Sequence, residues 1–354
     1  MPDVRQQHSC CDRCLRAADS ASAERIGRRR LLKSAVFQPP AGTDPAATDP
    51  ARTEQAGTVA GFAEAGQLPR AVTGTILDVS PQVICVGDER GEQRFMLTAN
   101  ATAWRGKQLD PAAVLPGDSA VIRLHPSQRG VADRIWANIG RATGTIVEHG
   151  PDGLVVDEGV TRKRQAVVIP PRAAGRIQVR FPTLEPGFLI DVIGIRRGGV
   201  LEGMVPATSQ PAYRSDRLPP PALVSGHVPD AISGSATWHE PSGEPHGVLG
   251  VSYPAIDPSA GCAEEAGGRG GRGYARMPYL AIGSILLVHN ECTGSSCALP
   301  VTGCAAVARL FNDRCVTCGT SPRGRVADLT LASFVALGGE LERGCFNAMI
   351  AIGR

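Results

Sequence analysis

The chain has 354 residues, long enough for two or three domains, with 42 Gly and 28 Pro against only 4% aromatic residues. That balance favours short strands and turns over long helices, while 42% hydrophobic residues still allow real cores. A net charge of +3 from nearly equal acids and bases excludes a broadly basic nucleic-acid-binding chain, and the want of a long apolar run excludes a membrane-spanning helix.

Residues 1–70 are rich in Ala, Asp, Pro, Gln and Thr without apolar periodicity and read as a disordered tail. Within them Arg28-Arg29-Arg30-Leu31-Leu32-Lys33 resembles the core of a twin-arginine export signal. The apolar segment that should follow is missing, because Ser34-Ala35-Val36-Phe37 runs into Gln38-Pro39-Pro40. Export and a solvated basic helix are both open at this point. His8, Cys10, Cys11 and Cys14 have metal-ligand chemistry, but four such groups in a tail read as incidental or reactive thiols. No metal and no cofactor is expected anywhere in the chain.

Residues 73–207 contain a repeat of period 70. Thr73-Gly74-Thr75-Ile76 recurs as Thr143-Gly144-Thr145-Ile146, and Val83-Ile84-Cys85-Val86 as Gly153-Leu154-Val155-Val156. Leu115-Pro116-Gly117-Asp118 is echoed by Glu185-Pro186-Gly187-Phe188, and Val131 to Ala137 by Leu201 to Ala207. Each copy, 71–140 and 141–207, reads as about five short strands between Gly- and Pro-rich turns, which fits a small closed barrel. The pattern resembles the OB-like modules of bacterial envelope proteins. Trp104 and Trp136, with Arg105 and Arg134 beside them, occur only in the first copy, so paired nucleic-acid faces are not expected. Arg162-Lys163-Arg164 reads as a solvated hairpin tip. The repeat is taken as a spacer or interaction element.

Residues 208–233, with Pro219-Pro220-Pro221, read as a stiff linker. The last unit, 234–354, has strand-like runs at Ile282 to Val288, Ala305 to Phe311 and Phe346 to Ile352. Asp328 or Thr330 is expected to cap a short helix through Leu337, closed by Gly338-Gly339. Seven of the eleven cysteines lie here: Cys262, Cys292, Cys297, Cys304, Cys315, Cys318 and Cys345. Their density predicts disulfides and an oxidising, extracytoplasmic or secreted setting, ahead of a zinc site at Cys315 and Cys318 that lacks a second ligand pair.

The order of motifs in this unit is similar to the double-psi β-barrel of the rare lipoprotein A family, related to expansins and barwin. Gly234 to His239 stands for its opening G-x-A-S-W-Y, and Ala281-Ile282-Gly283-Ser284 for its P-L-G-T. His289 to Gly294 resembles T-N-x-x-N-G, Asn312-Asp313-Arg314 its V-N-D-R, Arg325 to Thr330 its R-I-I-D-L-S, and Ala336-Leu337-Gly338 its A-L-G. The likeness covers about a third of the chain. It implies a six-stranded double-psi barrel with a short helix, so that with the repeat the expected fold is mainly β, two tandem OB-like barrels followed by that barrel. It also implies action on cell-wall polysaccharide, namely peptidoglycan. Asp328 takes the place of the family's acid and Asp313 a groove-lining position. Met277 stands where the family has a histidine, and a thioether moves no proton. His239, His246 and His289 are candidates to replace it.

Trp238, His239, Tyr274, Tyr279, Asn312 and Arg314 complete the candidate glycan-binding set, with the aromatic rings as stacking surfaces. The expected function is binding or remodelling of wall glycan. Open alternatives are a lytic transglycosylase or glycosidase using Asp328 as general acid, and a scaffold without glycan affinity.

Overall fold

In the computed structural model the described residues are 70–89, 91–159, 162–208, 214–217, 231–240, 247–256, 277–313 and 323–352. The predicted tail with its twin-arginine-like element, the triple proline, Tyr274, Arg314, Cys262, Cys315 and Cys318 lie outside them. The protein is mainly β, built as three closed barrels with short helices.

The first barrel contains β1 (Arg70–Val79), β2 (Val83–Asp88), β3 (Gly91–Trp104), β4 (Gln108–Leu109), β5 (Ser119–Leu124) and β6 (Val131–Ala137). Five strands close in the ring β2-β1-β5-β6-β3, with β2 pairing β3 and β4 added at the end of β3. Only β3 and β6 run parallel. Alternate β-branched and aromatic residues point inward, so Ile76, Ile84, Val86, Phe95, Ile122 and Ile135 fill the interior.

The second barrel repeats this plan with β7 (Ile139–Gly150), β8 (Gly153–Asp157), β9 (Gln165–Val168), β10 (Leu189–Arg197) and β11 (Val200–Pro206). Its ring is β8-β7-β10-β11-β9, again with one parallel pair, β9 with β11. The interior residues Ile146, Leu154, Val156 and Val192 sit 70 positions after Ile76, Ile84, Val86 and Ile122. Even the β-bulge recurs, between Ile76 and Asp78 and between Ile146 and Glu148. The repeat is therefore structural as well as sequential. One difference is α1 (Pro171–Gln178), which starts on proline and buries Ala173 and Ile177 against the barrel. The first copy has only a single turn there, Pro111–Ala113, capped by the Asp110 side chain on the Ala112 N–H at 2.8 Å.

The third barrel comprises β12 (Ala231–His239), β13 (Val251–Tyr253), β14 (Ile285–Asn290), β15 (Ser296–Cys304), β16 (Asn312–Asp313), β17 (Arg323–Thr330), α2 (Leu331–Ala336) and β18 (Cys345–Ile352). Six strands close as β12-β18-β14-β15-β13-β17, and β16 pairs only the start of β17. Two pairs, β12 with β17 and β13 with β15, are parallel, and the other four are antiparallel. Trp238, Leu286, Val288, Leu299, Leu329, Phe334 and Phe346 form its core.

Several expectations are corrected. Ala306–Leu310 is a 3₁₀ turn and not a strand. The expected strand from Ile282 begins only at Ile285, since Ala281–Ser284 is a turn closed by the Ser284 N–H on the Ala281 carbonyl. Thr330, not Asp328, caps α2, its hydroxyl accepting the Ser333 N–H at 3.3 Å, while Asp328 lies inside β17. The strand β12 begins at Ala231, three residues inside the predicted linker.

The barrels meet through charged contacts. Arg123 and Arg134 of the first barrel pair with Glu340 and Glu342 of the third, and the Trp136 indole N–H also donates to Glu342. Trp104 and Trp136 are buried in the same apolar cluster as the third barrel's core. Both Trp residues and Arg134 of the first copy thus serve this junction, while Arg105 pairs with Asp118 inside the first barrel. Among the described residues, no helix is long and apolar enough to cross a membrane.

Candidate functional site

The parallel pairing of β12 with β17 sets Thr237 beside Asp328 and His239 beside Thr330. The Thr237 hydroxyl donates to Asp328 Oδ1 at 2.8 Å. His239 Nδ1 stands 3.5 Å from Asp328 Oδ2. The same oxygen receives Arg162 Nη2 at 3.1 Å, a contact across 166 positions of sequence from the second barrel. Asp328 is only 2% exposed. Burial alone would push its carboxyl up, but the attraction of His239 and of the Arg162 guanidinium outweighs this and holds it well below the usual carboxylate range.

An ionised carboxylate has no proton to give. In that state Asp328 is suited to orienting and charging its neighbours. His239, one of the three candidates to replace the missing family histidine, is the one beside it. His289 instead contacts Ser296 on the neighbouring strand at 2.8 Å, and His246 lies outside the described residues. Met277 is buried in the apolar core. The His239 Nδ1 atom has no hydrogen-bond partner among the described residues.

A second ring of acids and bases surrounds this group. Glu158, at the end of β8, accepts the Thr143 N–H at 2.9 Å. Burial pushes its carboxyl up to about 7. Glu240, next to His239, accepts the Arg141 N–H at 2.8 Å and pairs with Arg196. Its carboxyl is also raised, chiefly by burial. Two carboxylates with raised affinity for protons and one with lowered affinity lie around Arg162 and Arg196, an arrangement characteristic of sites that move or hold protons.

The expected stacking residues separate sharply. Trp238 is a core residue, with its indole N–H donated to the Leu341 carbonyl at 2.8 Å and the Arg141 guanidinium over its ring at 5.6 Å. It offers no platform to a sugar. Tyr279 is 66% exposed, near the exposed Ile282 and Ile285. Asn312 and Asp313 form β16 at the rim of the barrel, pairing Gly324 and Arg323 through the backbone. Cys297 carries a free thiol, half-buried, whose ionisation burial disfavours.

Sequence reading missed Thr237, Arg162, Glu158 and Glu240. For Arg162 a signal existed: 70 positions earlier the first copy has Glu92-Gln93-Arg94, so the second copy reverses a charge where the barrels are otherwise alike. The reading of Arg162-Lys163-Arg164 as a wholly solvated tip is corrected, because the Arg162 side chain is 11% exposed against 62% for Arg164.

No protein-family model matches the chain, and no curated protein matches it. A solved structure described as a multidomain protein with nucleic acid binding domains, from Streptococcus pneumoniae, is 16% identical over 74% of this chain and 72% of its own, with a TM-score of 0.14. At that score the likeness carries no structural argument.

Proposed function

We propose that this is a cell-envelope protein whose third barrel, of the rare lipoprotein A double-psi type, binds cell-wall glycan. The observation that carries the reading is the pairing of His239 with Asp328 across β12 and β17. It supplies a histidine beside the motif aspartate in a chain where Met277 occupies the family's histidine position. The six-stranded ring of two parallel and four antiparallel pairs is compatible with the double-psi topology. Tyr279 is the exposed aromatic surface for a sugar face. The two preceding OB-like barrels hold the third through ion pairs, and an extracytoplasmic setting is part of the proposal.

Binding is put ahead of cleavage because His239 and Arg162 hold the Asp328 carboxyl well below the usual carboxylate range, which leaves it no proton for a leaving group near neutral pH. One observation favours cleavage as a second reading: the His239–Asp328 pair together with Glu158, whose raised carboxyl is a proton donor near neutrality. The test is incubation of the full chain with purified insoluble wall. Retention without soluble fragments supports binding. Fragment release that is lost in Asp328→Asn supports the enzyme. Neither retention nor release overturns both readings and leaves a scaffold.

A further inference from the structure

The Asp328 cluster differs from the Asp191 network, which also joins the second and third barrels. Asp191 of the second barrel has both oxygens filled: it takes a two-pronged contact from Arg141, a bond from Arg325 Nη2 at 2.7 Å and the Thr208 hydroxyl at 3.0 Å. That is a finished structural network, in which every prong has a partner. Asp328 also has both oxygens engaged, Oδ1 by the Thr237 hydroxyl and Oδ2 by Arg162 and His239, but it meets Arg162 through one nitrogen at 3.1 Å, the single-pronged geometry that gives up half of what the guanidinium fork offers. The adjoining His239 is buried, and its Nδ1, 3.5 Å from Asp328 Oδ2, has an ion-pair contact but no hydrogen bond. A buried polar atom that makes no hydrogen bond calls for a reason, and a closed functional site is one.

We infer that Arg162 is an autoinhibitory latch: the second barrel seats its guanidinium on Asp328 and keeps the Thr237–His239–Asp328 cluster shut in the free chain. Arg162 is held for this by the bond from its N–H to the Gly159 carbonyl at 3.0 Å, with Gly159 in the left-handed region at φ 95°. Its neighbours Lys163 and Arg164 point to solvent, so the loop carries one inward cation and two outward ones. The contact joins the second barrel to the strand that carries the third barrel's motif, which makes access to that strand a property of both barrels. The bearing of the latch on glycan rests on the function proposed above; its existence does not.

The test is the rate at which diethyl pyrocarbonate labels His239 in the full chain, read residue by residue by mass spectrometry, with the exposed His149 as reference. Arg162→Gln is expected to label His239 faster than the parent by about tenfold, the change that ~1.4 kcal/mol in an opening equilibrium gives. Arg164→Gln should label it at the parent rate. An Arg162→Gln rate equal to the parent's overturns the latch. If Arg162→Gln does not fold, Arg162→Met, which keeps the apolar stem without the cation, decides: faster labelling of His239 with His149 unchanged supports the latch, and an unchanged rate overturns it. Wall retention measured on the same variants separates the two ideas. Faster labelling without increased retention leaves the latch standing and removes glycan from this site.

Discussion

Arg141 on β7 and Asp191 on β10 form a two-pronged pair, Nε to Oδ1 at 2.8 Å and Nη2 to Oδ2 at 2.6 Å, with both side chains sealed from solvent. Arg141 also reaches into the third barrel, donating to the Trp238 carbonyl at 2.9 Å and the Gly344 carbonyl at 2.7 Å, while Arg325 of β17 comes back to Asp191. One carboxylate therefore neutralises cations from two barrels. Asp191→Ala strands two buried guanidinium groups and is expected to cost about 3–5 kcal/mol in urea denaturation. Arg325→Met leaves the Arg141 pair intact and should cost less, about 1–3 kcal/mol. Equal losses in the two variants would show that the pair within the second barrel contributes nothing of its own.

The junction of the first and third barrels predicts a second effect. Glu342 accepts from Arg134 and from the Trp136 indole, and the Arg123 and Arg134 guanidinium groups lie over the Trp136 ring at 5.8 and 5.7 Å. Glu342→Ala deprives two buried donors at once. It is expected to lower stability by about 1–3 kcal/mol and to shift tryptophan emission to the red as water reaches the indole. Because Trp136 shares a core cluster with the third barrel, urea unfolding followed by fluorescence and by circular dichroism should still coincide. Separate transitions would mean that the barrels unfold independently.

The duplication was legible because a barrel imposes the same demands twice. Thr-Gly-Thr-Ile recurs since a Cβ on Gly74 would meet the Gly87 carbonyl oxygen at 2.7 Å, and one on Gly144 would meet that of Asp157 at 2.0 Å. The third unit was legible as ordered motifs on strands, and its helix as an N-cap followed by apolar residues. What sequence did not convey was long-range. Nothing local to Arg162 tells that its partner lies on β17, and a basic tripeptide beside a turn reads as solvated. Asp328 and Thr330 both have capping chemistry; only the pairing with β12 decides that the strand runs on to Thr330. The burial of Trp104 and Trp136 was not legible either, because packing between domains leaves no periodic trace.

Glu158 predicts a pH dependence. In an open chain its carboxyl titrates near 4.5, and in the fold it titrates at about 7 because burial disfavours the charge. Between those values the folded protein holds the extra proton, so stability is fully present below about 4.5 and is lost as pH rises through 7. The loss is at most about 3 kcal/mol, at 1.36 kcal/mol per pKa unit. Glu158→Gln keeps an acceptor for the Thr143 N–H without the charge. Relative to that variant, the parent is expected to lose roughly 2–3 kcal/mol between pH 4.5 and 8 in urea denaturation. Asp328 does not obscure the window, since its depressed carboxyl contributes stability that is lost only at lower pH. A difference between parent and variant that stays flat across this range would count against the assignment.

Tyr279 and Trp238 give opposite expectations although both were candidates for sugar stacking. Trp238 is sealed in the core and hydrogen-bonded to Leu341, so Trp238→Ala opens a large cavity and should cost about 3–5 kcal/mol. Any loss of wall retention in that variant would follow from unfolding. Tyr279 touches solvent over most of its surface, and Tyr279→Ala should change stability by less than about 0.5 kcal/mol. If its ring is the sugar platform, the same substitution removes a stacking contact worth about 1 kcal/mol and weakens wall retention roughly fivefold. Retention equal to the parent's at undiminished stability would move the glycan surface away from the segment that leads into β14.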